Sequence, residues 1–310
     1  MAIELSNETF TNQADIVPAS GVDEIVNTGV ANTFAGNDVI TGTAGLTEFS
    51  HGILNGGYLS SNSTLPVSID TGDGNDTLIG TGDNSTYSFG IFNWENINTG
   101  NGNDMLTGIG SLRGIFNYNP TDSIFNYTPQ IVTGDGNDKI IGTGFLAIEN
   151  QGLISTGNGN DSIIANGYFY NYGTVDLGDG NDSILVTGDI YNGGTINTGK
   201  GNDSITAYGS FNREGYGLGV NLGDGNDYFY GFGDGSGFLG ENGKDTLELP
   251  PGSYTIEIPF TTVVTFTEDN TFTDPSRKAI MITSGFEKLI AGDTTYDFSS
   301  LTQGQRIFVA

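Results

Sequence analysis

The sequence predicts an all-β chain wound as a parallel β-solenoid, a β-roll or β-helix, with coils of about 21 residues and a C-terminal β cap. Three observations predict it. First, a Gly-Asp/Asn-Gly-Asn-Asp motif recurs at residues 72–76, 100–104, 134–138, 157–161, 178–182 and 223–227, with a Lys200 variant at 199–203 and shorter copies at 36–38 and 243–245. Second, the step from Asp161 to Asp182 and from Asp182 to Asp203 is 21 residues, and the next is 24. Third, an aliphatic or aromatic residue stands two places beyond each regular copy, with no helical period between copies. A repeat of this length is one supersecondary unit that buries its apolar side only by stacking on a neighbour.

Taken in order, residues 1–35 read as an N-terminal cap, 36–249 as the solenoid and 250–310 as a C-terminal cap. One coil, residues 163–182, places two short β-branched or aromatic segments between two Gly/Asn-rich turns, so two strands per coil are expected. Period-two alternation turns Val175 and Leu177 inward, and likewise Ile97 with Thr99, Ile131 with Thr133, Ile154 with Thr156 and Ile196 with Thr198. Asp176, Asn98, Ser155 and Asn197 then face outward. Leu78, Leu106, Ile140, Ile163, Ile184, Ile205 and Phe229 form a second inward column. The opposite turn carries Asn55, Asn93, Asn117, Asn150, Asn171 and Asn192, which predicts an Asn ladder passing amide hydrogen bonds from coil to coil. Alternation places Phe92, Phe116, Tyr170, Tyr191 and Phe211 in an outward column, read either as a shield stacked on the sheet or as an interaction stripe. The extra residues between Asp104 and Asp138, beyond the length of one coil, are expected to protrude from it. Pro250 and Pro251 end the repeats, after which residues 254–267 and 279–283 alternate as antiparallel strands covering the last coil.

The corner motif has the chemistry of a hard-cation site. Calcium takes six to eight oxygens, glycines let backbone carbonyls crowd together, and an Asp supplies charge. The candidate ligating positions are Gly72, Gly74 and Asp76; Gly100, Gly102 and Asp104; Gly134, Gly136 and Asp138; Gly157, Gly159 and Asp161; Gly178, Gly180 and Asp182; Gly199, Gly201 and Asp203; and Gly223, Gly225 and Asp227, with Asp38 and Asp245 at the ends. Aligned carboxylates without cations repel, so folding is expected to be coupled to several Ca²⁺ ions lodged between coils.

Residues 177–185 match the Gly-Gly-x-Gly-x-Asp-x-(aliphatic)-x nonapeptide except at the first glycine, and the other copies follow them. The chain therefore resembles the RTX family of calcium-binding β-rolls. That resemblance implies a parallel β-roll folded by extracellular calcium, exported by a type I system through an uncleaved C-terminal signal. It carries the glycine and Asp roles onto Gly178, Gly180 and Asp182 and their equivalents. Two departures stand out. The family's nonapeptides run in tandem, whereas one motif per coil here predicts a single file of ions. Thr71, Thr99 and Leu177 stand where the family has Gly, and only the carbonyl is needed there. The Asn-x-Gly turns at residues 150–152 and 171–173 look more like those of secreted β-helical adhesins.

Composition narrows the function. A net charge of -28 makes nucleic acid and anionic membranes poor partners, and no apolar run approaches the roughly 18 residues of a membrane span. The start is polar and acidic, unlike a cleaved Sec signal. Cysteine is absent, which excludes thiol chemistry and disulfides. The single histidine, His51, reads as a loop residue rather than a general base, and Arg113, Lys139, Lys200, Arg213 and Lys244 are spread over different coils rather than clustered for an acidic glycan. A secreted, non-enzymatic, calcium-binding structural or adhesive protein is the expectation. The alternatives are a glycan-binding module using the outward rings, a polysaccharide-active β-helix enzyme, and an ice binder, which the inward Thr residues disfavour.

Overall fold

The computed structural model describes residues 2–17, 24–44, 50–56, 67–83, 85–119, 128–213, 219–234, 237–269 and 279–310. The chain is a parallel β-solenoid, as its periodicity predicts, with strands of successive coils stacked in one sheet of 20 strands and another of 13. Each coil has three strands rather than two. After the Gly-Asn-Asp corner come, in one coil, Ser183–Val186 and Ile190–Asn192 in the larger sheet, then Thr195–Asn197 in the smaller. In Lys139–Asn150 and Ser162–Asn171 the first two remain a single bent strand.

The bend that divides them comes from backbone contact across the core. A Cβ on Gly80 would lie 2.2 Å from Gly90 O, and one on Gly108 would lie 2.3 Å from Gly114 O. Only glycine lets the two segments approach this closely. In register down the stack this position reads Gly42, Gly80, Gly108, Gly142, Ala165, Val186 and Ala207, so the core widens along the chain.

Both predicted inward columns lie in the core. Ile97, Ile131, Ile154, Val175 and Ile196 pair in register and are buried, as are Leu78, Leu106, Ile140, Ile163, Ile184, Ile205 and Phe229. Phe211 does not join the outward column. It pairs with Ile190, leaves Asn212 opposite Tyr191, and is fully buried, because it lies as far beyond Ile205 as Ile190 lies beyond Ile184. His51 is not in a loop but in the strand Ser50–Asn55. The expected protrusion between Asp104 and Asp138 centres on residues outside those described.

At the N-terminal end, Ala2–Glu4 runs parallel to Glu24–Asn27 and Ile16–Val17 parallel to Val39–Thr43, while Leu5 closes the core with no exposed surface. At the other end, Gly252–Phe260 pairs antiparallel with Val263–Glu268 and with Arg306–Val309, and Val263–Glu268 pairs antiparallel with Ile280–Ser284. These strands also extend the solenoid: Ile280–Ser284 pairs parallel with Gly237–Leu239, and Phe286–Ala291 with Asp245–Leu249. Both sheets of the last coil thereby find partners for their edge hydrogen bonds.

Candidate functional site

The corner begins with two glycines in conformations that side chains resist, φ +85° at Gly72 and +139° at Gly102 in the next coil. A Cβ on Gly102 would lie 1.5 Å from Gly74 O of the coil before it. The glycines therefore allow the corners to stack without a gap. The residue between them continues the β-ladder around the bend: Asn101 N–H donates to Gly72 O at 3.2 Å and Gly74 N–H to Asn101 O at 2.7 Å.

All nine predicted Asp residues fall in one row at this corner. Asp38, Asp76, Asp104, Asp138, Asp161, Asp182, Asp203, Asp227 and Asp245 are each no more than 2% exposed. The Oδ1 of each accepts the backbone N–H of the Asp one coil earlier; Asp38 N–H reaches Asp76 Oδ1 at 2.7 Å, and Asp161 N–H reaches Asp182 Oδ1 at 2.7 Å. The row is closed at both ends. Asp15 N–H donates to Asp38 Oδ1, and Asp245 N–H donates to Glu287 Oε2, each at 2.7 Å. Glu287 lies in the cap, outside any repeat, so nothing in the motif marks it. The other carboxylate oxygen, Oδ2, is buried without a hydrogen-bond partner in all nine. Burial raises the carboxyls of Asp76, Asp138 and Asp245 to about 6 and those of Asp104, Asp182 and Asp227 to about 7, against the lowering effect of the backbone N–H bonds they accept and, at Asp104, Asp76 and Asp138, of the neighbouring Thr99, Thr71 and Thr133 side chains. Asp161 and Asp203 are raised for the same reason.

A second row outside it behaves differently. The residues between the corner glycines read Asp73, Asn101, Asp135, Asn158, Asp179, Lys200 and Asp224, and Asn242, between Glu241 and Gly243, follows Asp224 in register, an alternation of acid with amide or amine. Each acid accepts from the next residue: Asn101 Nδ2 to Asp73 Oδ1 at 2.7 Å, Asn158 to Asp135 at 2.6 Å, Lys200 Nζ to Asp179 at 2.8 Å and Asn242 to Asp224 at 2.8 Å. Lys200 thus has a place in this row. Alongside, each corner Asn from Asn37 to Asn202 accepts the backbone N–H of its successor, as Asn160 Oδ1 does from Asn181 at 2.8 Å. Carboxylates are kept apart on the outside of the corner and stacked without interruption on the inside.

The remaining ladders are structural. At the opposite turn Asn27, Asn55, Asn93, Asn117, Asn150, Asn171 and Asn192 pass Nδ2–H to Oδ1 at 2.7–2.9 Å, which is the predicted ladder with one further member, Asn27. The position before the first corner glycine points into the core, where Thr71 Oγ donates to Thr99 O at 3.1 Å and Thr156 Oγ to Leu177 O at 3.0 Å. The first-position carbonyls are therefore taken by hydroxyls of the preceding coil. On the outer sheet face the rings stack on each other, Phe92 on Phe116 at 5.0 Å and Tyr170 on Tyr191 at 4.4 Å, so their faces are mutually covered. His51 lies in this stack, 5.2 Å from Phe89. Arg113 sits 4.3 Å over Phe116 and pairs with Glu149, which replaces a ring in the column.

Among the described residues no group of three acidic or histidine side chains converges on one point. A cation at the inner row would therefore draw on the orphaned Oδ2 atoms and on backbone carbonyls. The second-glycine carbonyls, such as Gly74 O, take no part in the axial N–H ladder. This donor set is all oxygen, carries negative charge and lacks nitrogen and sulfur, and so fits calcium. Comparison with models of known protein families, with characterised proteins and with solved structures gives no match.

Proposed function

We propose that the inner corner row binds a file of Ca²⁺ ions and that the chain is a calcium-dependent, non-enzymatic structural protein of the extracellular or cell-surface kind. The observation that carries this reading is the contrast between the two corner rows. The outer row avoids stacked carboxylates by alternation, whereas the inner row keeps nine in succession, each with one oxygen unpartnered in a buried site. An unpaired buried carboxylate oxygen is costly, and a cation shared between successive coils removes that cost.

Gly72, Gly74 and Asp76, with their equivalents in each coil, would contribute the shape and the charge. Calcium titration by calorimetry, followed by circular dichroism in EDTA and after calcium is restored, tests the proposal. Saturable binding of several ions, with β-structure gained on calcium addition, is expected. Extracellular modules bind in the range of about 10⁻⁴ to 10⁻³ M, and about 100 times the dissociation constant adds roughly 2.7 kcal/mol per independent site. Identical spectra with no heat of binding would overturn it. Export by a type I system belongs to the same proposal, since folding that waits for calcium keeps the chain threadable in a calcium-poor compartment.

A further inference from the structure

The smaller sheet runs without a break through the molecule, and among the described residues both of its outer edges are open. Its order begins at Arg306–Val309 and ends at Val30–Asn32, and among the described residues neither strand has a second neighbour. The hydrogen bonds already made fix which backbone groups remain free. Gly29 O and Thr33 N–H face the next coil, accepting from Ser68 N–H and donating to Asp70 O, so Val30 and Asn32 turn theirs to the open side. At the other end Ile256 N–H donates to Gln305 O, which by alternation leaves the backbone groups of Arg306 and Phe308 free.

The two edges match each other in face as well as in hydrogen bonding. Val30 is 54% exposed and Phe308 is 77% exposed, both on the outside of the sheet, while Ala31 and Ile307 are buried on the core side. An antiparallel pairing of Val30 with Phe308 and Asn32 with Arg306 therefore joins free donors to free acceptors and also continues core onto core. A one-residue slip would break both relations at once. Direction agrees too: Arg306–Val309 runs opposite to the coil strands of this sheet, so a neighbour in the same orientation presents it antiparallel to Val30–Asn32.

The N-terminal end is shaped to receive a strand. A groove of about 350 Å³ lies between Glu8, Thr9 and Phe10 on one side and Val30, Ala31, Asn32 and Phe34 on the other. Phe34 takes the corner position that later coils give to glycine, at φ +72°. At Gly72 a Cβ would strike the preceding coil, at Phe34 O, so the side chain of Phe34 projects off the end of the molecule and is 53% exposed.

We propose that copies of this chain associate head to tail, the Arg306–Val309 edge of one copy pairing antiparallel with the Val30–Asn32 edge of the next. Such a contact is heterologous, and with each neighbour in the same orientation it repeats along the stack into linear assemblies. It is independent of whether the corners bind calcium.

Sedimentation velocity in calcium-containing buffer over a wide range of concentration tests it, with Val30→Pro and Phe308→Pro each removing one free-edge donor without touching the bonds to the existing neighbour. The wild-type chain is expected to grow in mass with concentration without reaching a fixed stoichiometry. Each variant alone is expected to stay monomeric, and an equimolar mixture of the two to form one-to-one dimers and nothing larger, since each retains the edge the other lacks. Unchanged circular dichroism checks that the variants fold; Val30→Lys and Phe308→Lys serve the same purpose should a proline disturb its strand. A wild-type chain monomeric at every concentration would overturn the proposal. So would a closed dimer lost in Val30→Pro but kept in Phe308→Pro, which would mean an edge pairing with its own copy.

Discussion

At the residue scale, the inner Asp row sets the chemistry of the molecule. Asp76, Asp104, Asp138, Asp161, Asp182, Asp203, Asp227 and Asp245 are acids whose folded pKa lies above the unfolded value of about 3.9, with Asp104, Asp182 and Asp227 at about 7. In the metal-free chain the row favours folding when protonated, and that contribution is lost as pH rises through about 6 to 7. The melting temperature in EDTA is therefore expected to fall as pH rises from about 4 to about 8, and calcium, which favours the ionised row, is expected to abolish that fall. Scanning calorimetry checks both. Asp182→Asn separates the ladder from the ion. The amide keeps an acceptor for Asp161 N–H and removes the buried charge, so the variant is expected to melt higher than wild type in EDTA and lower in saturating calcium, with reduced calcium stoichiometry by calorimetry. A variant that is destabilised equally in both buffers would count against an ion at that position.

At the element scale, corners and turns are held by backbone approach and by buried amides. Gly102→Ala is expected to cost more than about 2 kcal/mol in urea unfolding, since a left-handed conformation alone costs about 1–2 kcal/mol and the Cβ also meets a backbone carbonyl. Asn171 accepts from Asn150 and donates to Asn192, so Asn171→Ala breaks both bonds, leaves the buried Asn192 Oδ1 without its donor and is expected to cost about 1–3 kcal/mol by the same measurement. Much of this was legible beforehand. The Asn ladder follows from Asn recurring after an apolar pair, and the inward threonines from period-two alternation. The division of each coil into three strands was not, because Gly80 and Gly90 look like ordinary loop glycines until the two segments are seen to touch. Glu287 was hidden for a related reason: it closes the Asp row from a different element, at a position no periodicity reaches.

At the scale of the whole molecule, a solenoid is quasi-one-dimensional, each coil being in contact only with its neighbours. Excising residues 162–182, a span of one regular step, joins Asp161 to Ser183 and keeps the inner Asp row and the Asn ladder in register, while Lys200 loses its partner Asp179. The shortened chain is expected to fold with unchanged circular dichroism per residue and to bind one calcium ion fewer; loss of the fold would mean that stability is not shared out coil by coil. The C-terminal cap belongs to the same sheets rather than standing apart, so both ends of the molecule are sheet edges and the contacts available to them are strand contacts.

The recurring Gly-Asp/Asn-Gly-Asn-Asp motif by itself determined the winding of the chain, the two inward columns and the alignment of nine acids, because stacking identical coils forces like residues onto like. Tertiary structure alone decided what the aligned groups do. It placed Phe211 inside and His51 in a ring stack, it assigned one oxygen of each Asp to a backbone N–H and left the other unpartnered, and it paired Lys200 with Asp179. The physical reason is that periodicity fixes which residues share a row, whereas the direction of a donor or the space for a side chain depends on contacts between coils and caps that lie far apart in the chain.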